Sequence, residues 1–196
     1  MEFNDEGVVI DKPPSDLDRL MLEVGGILDD VGIEYSVVSG YVAVLFGRSR
    51  ATEDIDVITE RFDEGTADEL ATRLQEAGYW GSAMPLDDLR ETLADDLPVR
   101  IAEDGHRVPN VELKFASDEH DRTSLDDAIH VRLGGETIRV GSLEFQIAYK
   151  LDMGARRDYE DALYLHEVAG PSLNRTALEE HVMKLGVEDE YERLRG

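Results

Sequence analysis

The chain has 196 residues, no cysteine and a formal charge of -25 from 45 acidic and 20 basic residues. That length makes one domain, or one domain with an appendage, and the absence of Cys excludes disulfides, thiolate zinc sites and cysteine nucleophiles together. The N-terminus carries acids where a signal peptide carries Lys or Arg, and the apolar runs are only a few residues long, so a cytoplasmic protein with no membrane contact is expected.

Residues 1–12 are polar and end in Lys12-Pro13-Pro14, which reads as a loose lead-in. Ser15 then opens an N-cap pattern with Asp18 three residues on, and Leu17, Leu20, Met21, Val24, Ile27, Leu28 and Val31 follow at helical spacing, so a helix is expected to end near Gly32. In this helix Asp16-Leu17-Asp18 reads as capping. A strand is expected over 34–38, a break at Ser39-Gly40, a short helix over 41–46 and a polar loop over 48–52. Residues 54–58 alternate acidic and apolar with period two, the mark of a half-buried strand.

A surface helix over 63–77 stops at Gly78. Within 79–96 only a short helix over 86–93 is legible. Strands over 99–101 and 111–115 form a pair across the turn at Glu103-Asp104-Gly105, a short helix is expected over 124–129, and a strand over 137–140. The remainder reads as helices from the Ser142 cap to Met153, over 157–168 and over 176–185, before an acidic tail. The expected architecture is α/β (α+β): a small mixed sheet flanked by helices in residues 1–141, with a helical C-terminal part over 142–196.

The acids are spread over every segment, and only four lysines (Lys12, Lys114, Lys150, Lys184) accompany 16 arginines. A solvated acidic surface of this kind matches a halophilic, haloarchaeal-type protein of a salt-rich cytoplasm, because self-repulsion is relieved when molar salt shortens the screening length to roughly 3 Å. The expected result is a fold lost in dilute buffer and regained with salt, followed by circular dichroism from about 0.1 M to several molar KCl. Unchanged stability across that range would refute the halophilic reading. The same screening removes both repulsion from and attraction to nucleic acid, so charge alone does not exclude an RNA substrate.

The chemistry concentrates in residues 35–60. Asp54 and Asp56 stand two apart on a strand, so both carboxylates face one side while Ile55 and Val57 enter the core. Magnesium takes oxygen ligands, usually one or two carboxylates together with phosphates and water. With 45 acids in the chain, roughly ten acid-x-acid triplets arise by chance, so the pair gains weight only from its context. That context is the Ser39-Gly40 turn ahead of a short helix, whose amide groups would face a phosphate, and Arg50-Ala51-Thr52 just upstream.

These residues resemble the nucleotidyltransferase superfamily with the polymerase-beta-like fold, whose signature is a Gly-Gly or Gly-Ser turn followed after about ten residues by Asp-x-Asp or Asp-x-Glu. Arg50, Thr52, Asp54, Ile55 and Asp56 match the Arg-x-Thr-x-Asp-Ile-Asp stretch of the branch related to abortive-infection toxins. The run from Ser142 through Lys150 to Asp158 and Asp161 resembles the same branch. The likeness covers 36–165 in patches. It departs at the turn: either Gly40 matches the first glycine and Tyr41 replaces the serine, or Gly40 matches the second and Ser39 stands in a glycine position. A register through Gly47-Arg48-Ser49 leaves too few residues before Asp54.

The resemblance implies transfer of a nucleoside monophosphate from a nucleoside triphosphate to an acceptor hydroxyl with release of pyrophosphate, using Mg2+ or Mn2+. Asp54 and Asp56 would hold the metal. Glu112, on the polar side of an alternating strand, is the expected third acid. Ser39, Gly40, Arg50, Thr52, Lys150 and Asp158 would bind the nucleotide, with Lys150 on the triphosphate. Against this, Arg48 and Arg50 could balance neighbouring acids, Lys150 could snorkel beside Asp152 or Glu144, and Tyr41 and Trp80 could pack in the core rather than stack on a base. The acceptor is left open among RNA, protein and a small molecule, and a cognate antitoxin or a homodimer among partners. The alternative function is a catalytically weak nucleotide-binding module of a toxin–antitoxin pair. His residues show no ligand spacing, and no P-loop or dinucleotide fingerprint is present.

Overall fold

A computed structural model describes residues 1–4 and 7–196. The elements in chain order are β1 (Glu2–Asn4), β2 (Gly7–Ile10), α1 (Asp16–Val31), β3 (Tyr35–Val38), α2 (Gly40–Leu45), β4 (Asp54–Thr59), α3 (Glu64–Glu76) and β5 (Tyr79–Gly81). After a 3-10 turn at Leu86–Asp88 come α4 (Leu89–Ala94), β6 (Val99–Glu103), β7 (Asn110–Phe115), α5 (Glu119–Asp126), β8 (Ile129–Leu133) and β9 (Glu136–Val140). Helices α6 (Leu143–Met153), α7 (Arg156–Ala169), α8 (Arg175–Leu185) and α9 (Glu188–Arg195) complete the chain.

The expected mixed α+β architecture is present, but the sheet is large rather than small. Nine strands run in the order β1-β2-β8-β9-β3-β4-β7-β6-β5. Pairings β2–β8, β9–β3 and β4–β7 are parallel and the others antiparallel. The increase over expectation comes from the edges. The lead-in pairs as β1 and β2, with β2 filling the free edge of β8; the local signal was the run Val8-Val9-Ile10, of which Val8 and Ile10 are buried. β8 itself had a local signal: Gly134 and Gly135, both at positive φ, make the tight turn of the β8–β9 hairpin.

Two other expectations are corrected. The short helix lies at α5 rather than at 124–129, because Asp118 caps it by accepting from the Asp121 amide, while Ile129 begins β8. The acidic tail is helix α9, whose Tyr191 and Leu194, three residues apart, are buried on one side. No helix among the described residues is long and apolar enough to cross a membrane.

The sheet separates two environments. Tyr35, Val37, Ile55 and Val57 are fully buried on the face covered by α1, where a side chain at Gly25 would collide with the Tyr35 hydroxyl. Ser36, Val38, Asp56 and Ile58 lie on the opposite face, beneath α5 and α6.

At the start of α1 the capping box is formed: the Asp18 amide donates to Ser15 Oγ at 3.2 Å and the Ser15 amide to Asp18 Oδ2 at 2.8 Å. Asp18 does more than cap. It is fully buried, accepts from the Tyr41 hydroxyl at 2.7 Å and pairs with Lys12 at 3.0 Å. Burial raises its pKa, but these hydrogen bonds outweigh burial and leave it below the ordinary Asp value. The lead-in, α1 and α2 are thereby pinned together just behind the Ser39-Gly40 turn.

Candidate functional site

The site forms where β3 ends. Val38 pairs with Asp56 across the β3–β4 ladder, and the next residue, Ser39, turns the chain into α2 with φ 66° and ψ -137°. That conformation is costly for a residue with a Cβ and ordinary for glycine. Ser39 therefore stands at the glycine-like position of the turn, the second of the two registers weighed above. α2 has only six residues, so its backbone offers a short dipole.

Asp54 and Asp56 project from β4 on the same side as Val38. Asp54 is exposed and accepts from the Thr52 hydroxyl at 2.9 Å. Asp56 is half-buried, and burial raises its pKa; the Ser39 side chain works against the rise, while the charges of Asp54 and Glu112 add to it. The parallel β4–β7 ladder puts Glu112 opposite Asp56 and Lys114 opposite Ile58. Three carboxylates thus share one face, as expected. Glu112, however, accepts from Arg100 Nε at 2.6 Å across the β6–β7 pair and is not a free ligand.

Among the described residues, neither Asp54 nor Asp56 forms an ion pair, and no group of three His, Asp or Glu encloses a metal position alone. Two adjacent carboxylates lacking a cationic partner are nonetheless the donor set that a small divalent cation shares with phosphate and water. The chemistry of these side chains fits such an ion.

Opposite the aspartates, α6 and α7 bring in a buried charge cluster. Asp161, fully buried, receives Lys150 Nζ at 2.9 Å, Arg50 Nη1 at 2.5 Å and also Arg48. Asp158 lies 3.9 Å from Lys150, and Arg48 also reaches Glu160 at 2.9 Å. Lys150 is 2% exposed, so it does not snorkel, and its partners are Asp161 and Asp158 rather than Asp152 or Glu144. Glu144 instead accepts from the Asn174 amide at 2.7 Å. Burial pulls the Lys150 pKa down to about 8, against the opposing attraction of Asp158. Burial likewise lowers Arg50, helped by Arg157 and Arg48.

The Arg50 guanidinium lies directly over Gly40: a Cβ there would sit 2.7 Å from Nη2. Gly40 is therefore needed for close approach, while Ser39 carries the unusual dihedrals. Arg50 Nε is buried with no hydrogen-bond partner.

Between the two groups opens a cavity of about 170 Å³, lined among others by Ser39, Asp56, Lys114, Gln146, Tyr149 and Lys150. Ser39, Gly40, Arg50, Thr52, Asp54, Asp56, Glu112, Lys150 and Asp158 are all brought to this end of the sheet. Tyr41 and Trp80 do not line the cavity. Tyr41 is buried on Asp18, and the Trp80 indole donates to the His106 carbonyl at 2.7 Å on strand β5 at the sheet's edge.

Sequence reasoning missed Lys114, Gln146 and Tyr149. Lys114 had a signal, its rarity; it crosses to Asp121 on α5 at 2.9 Å. Gln146 had another, since it lies one helical turn before Lys150 and shares its face. Asp161 stands three residues after Asp158, a spacing that puts both on one side of α7.

The sequence matches the aminoglycoside-2''-adenylyltransferase family over residues 20–165. Three solved structures share the fold at low identity. One is an antigenic nucleotidyltransferase-like protein from Paracoccidioides brasiliensis: 20% identity, TM-score 0.57, covering 94% of this chain and 95% of that one. Another is ANT(2'')-Ia in complex with adenylyl-2''-tobramycin: 13% identity, TM-score 0.51, coverage 85% and 95%. The third is a protein from Helicobacter pylori: 16% identity, TM-score 0.51, coverage 93% and 95%. No curated protein matches the sequence.

Proposed function

The chain belongs to the aminoglycoside-2''-adenylyltransferase family and is an enzyme of the nucleotidyltransferase class, and we propose that it moves a nucleoside monophosphate from a triphosphate to a hydroxyl of an aminoglycoside-like acceptor. The observation that carries this reading is the Asp54–Asp56 pair, which forms no ion pair among the described residues and whose Asp56 lines a cavity that Lys150 lines as well.

The acceptor oxygen attacks the α-phosphorus, the bond from that phosphorus to the β-bridging oxygen breaks, pyrophosphate leaves, and the hydroxyl proton passes to water. Asp54 and Asp56 would hold a divalent cation, which supplies Lewis-acid polarisation of the phosphate when bound. Thr52 fixes the Asp54 carboxylate by donating to it. Lys150 and Arg50 present positive charge to the leaving phosphates, while Asp161 and Asp158 hold that charge in place against its desolvation. Gly40 leaves the space in which Arg50 lies.

A second reading, a nucleotide-binding module of the toxin–antitoxin kind with little turnover, is favoured by one observation: Glu112, the third carboxylate, is engaged by Arg100. One assay separates the two. Each α-labelled triphosphate is incubated with Mg2+ or Mn2+ in molar KCl, with tobramycin in one series and total RNA in another. Label on tobramycin with pyrophosphate released is the expected result. Label on RNA keeps the transferase and replaces its acceptor, and nucleotide binding with no labelled product supports the second reading.

A further inference from the structure

The conformation of Ser39 has no local cause. A serine at φ 66° and ψ -137° occupies a region that glycine enters freely, and among the described residues only Ser39 and Asp96 combine a side chain with positive φ. Strain of this kind persists only where its surroundings impose it. Here Gln146 contributes: it is 2% exposed on α6, and its Oε1 accepts from the Ser39 amide at 3.3 Å. Gln146 is itself confined, since a side chain on Gly141 would fall 2.7 Å from its Nε2. On the other side the Arg50 guanidinium lies over Gly40. A glycine at 39 would satisfy this geometry without strain, yet the chain carries a serine.

We propose that Ser39 is a positioning residue for Asp56: the strained turn is retained because it delivers a hydroxyl to the Asp56 carboxylate and sets the orientation in which that carboxylate meets a divalent cation. The placement follows from the ladder, since Ser39 directly succeeds Val38, the partner of Asp56, and both Ser39 and Asp56 line the cavity. The Ser39 side chain also works against the rise of the Asp56 pKa, the sign that a hydroxyl near that carboxylate produces. Residues that hold a metal-binding side chain by hydrogen bonds govern affinity nearly as much as the ligand itself. This inference rests on the reading of Asp54 and Asp56 as the metal pair.

Two variants separate the hydroxyl from the backbone. Ser39→Ala removes the hydroxyl and keeps the strain; Ser39→Gly removes both. Melting temperature is recorded for each against a titration of MnCl2, with ATP present and absent, in molar KCl, and kcat and KM for the labelled triphosphate are measured in parallel. Without manganese, Ser39→Gly melts above wild type. Both variants need about tenfold or more Mn2+ for half of the metal-induced shift, and kcat falls while KM for the nucleotide changes little. A Ser39→Gly protein with wild-type manganese response overturns the positioning role, and it does so even if Ser39→Ala fails to fold. Wild-type protein that ignores manganese altogether overturns the metal-pair reading and this inference with it. A wild-type protein that responds to manganese beside variants that respond equally overturns only the role of Ser39.

Discussion

The double change Asp54→Asn with Asp56→Asn is expected to lower nucleotidyl transfer by about a thousandfold or more, equivalent to about 4 kcal/mol of barrier, because two neighbouring carboxylates without an ion-pair partner are removed from the site. The free protein should melt at the same temperature as wild type or higher. The sign follows from linkage. Burial and the charges of Asp54 and Glu112 raise the Asp56 pKa above its unfolded value. The folded protein therefore binds more protons than the unfolded chain just above the ordinary Asp range, and ionised Asp56 costs stability at neutral pH. An amide of the same shape removes that cost, still accepts from Thr52 at position 54, and leaves no ion-pair partner stranded. Had Arg48 and Arg50 been partners of Asp54 and Asp56, the change would have stranded two guanidinium groups; in the structure both are held by Asp161. Melting is compared at fixed molar KCl with and without manganese and a triphosphate. Wild type gains stability from the ligands by mass action and the variant does not. A variant that still responds, or that melts well below wild type without ligands, defeats the assignment.

Asp161→Asn should be the most destabilising single substitution near the site. It leaves Arg48, Arg50 and Lys150 gathered around a neutral amide, and removing one partner of a buried charge cluster costs about 3–5 kcal/mol. That is a large part of the ~5–15 kcal/mol that separates folded from unfolded chains. Lys150→Met should cost less, because Asp161 keeps both arginines. Combining the two should cost less than their sum, since each single change already breaks the Lys150–Asp161 contact. The pH dependence carries a further sign. Lys150 titrates near 8 in the folded state, below its unfolded value of 10.5. Between these values the unfolded chain binds more protons, so this group makes stability rise with pH across that window. Lys150→Met should lose that rise. Chemical denaturation in molar KCl from about pH 7 to pH 10.5 measures all of these effects. Additive costs, or an Asp161→Asn protein as stable as wild type, would show that the cluster is not what holds α7 to the turn. These stability costs also revise the test of Lys150 as a phosphate contact. A loss of triphosphate binding in Lys150→Ala must be read beside its melting temperature, because a lysine with 2% exposure is part of the packing as well.

Much of this protein was legible before any contact was known, for reasons that act over a few residues. The Ser15 cap, the left-handed Gly32 and the 3.6-residue spacing of Leu20, Val24 and Leu28 define α1 locally. Period two alone puts Asp54 and Asp56 on one face and Ile55 and Val57 on the other, and β4 has that arrangement. What tertiary structure decided lies in partners distant in sequence. Asp161 meets Arg48 and Arg50 across more than a hundred residues, and no periodicity identifies which of 45 acids a buried cation will choose. Glu112 has the alternation of an exposed strand residue, but only the β6–β7 register shows that Arg100 takes it. β2 has a local strand signal in Val8-Val9-Ile10, but its pairing was decided by the edge that β8 offered, where its backbone groups find partners and Val8 and Ile10 are buried. The φ of Ser39 was decided in the same way: its side chain argues against such a turn, and Gln146 together with Arg50 over Gly40 imposes it from outside.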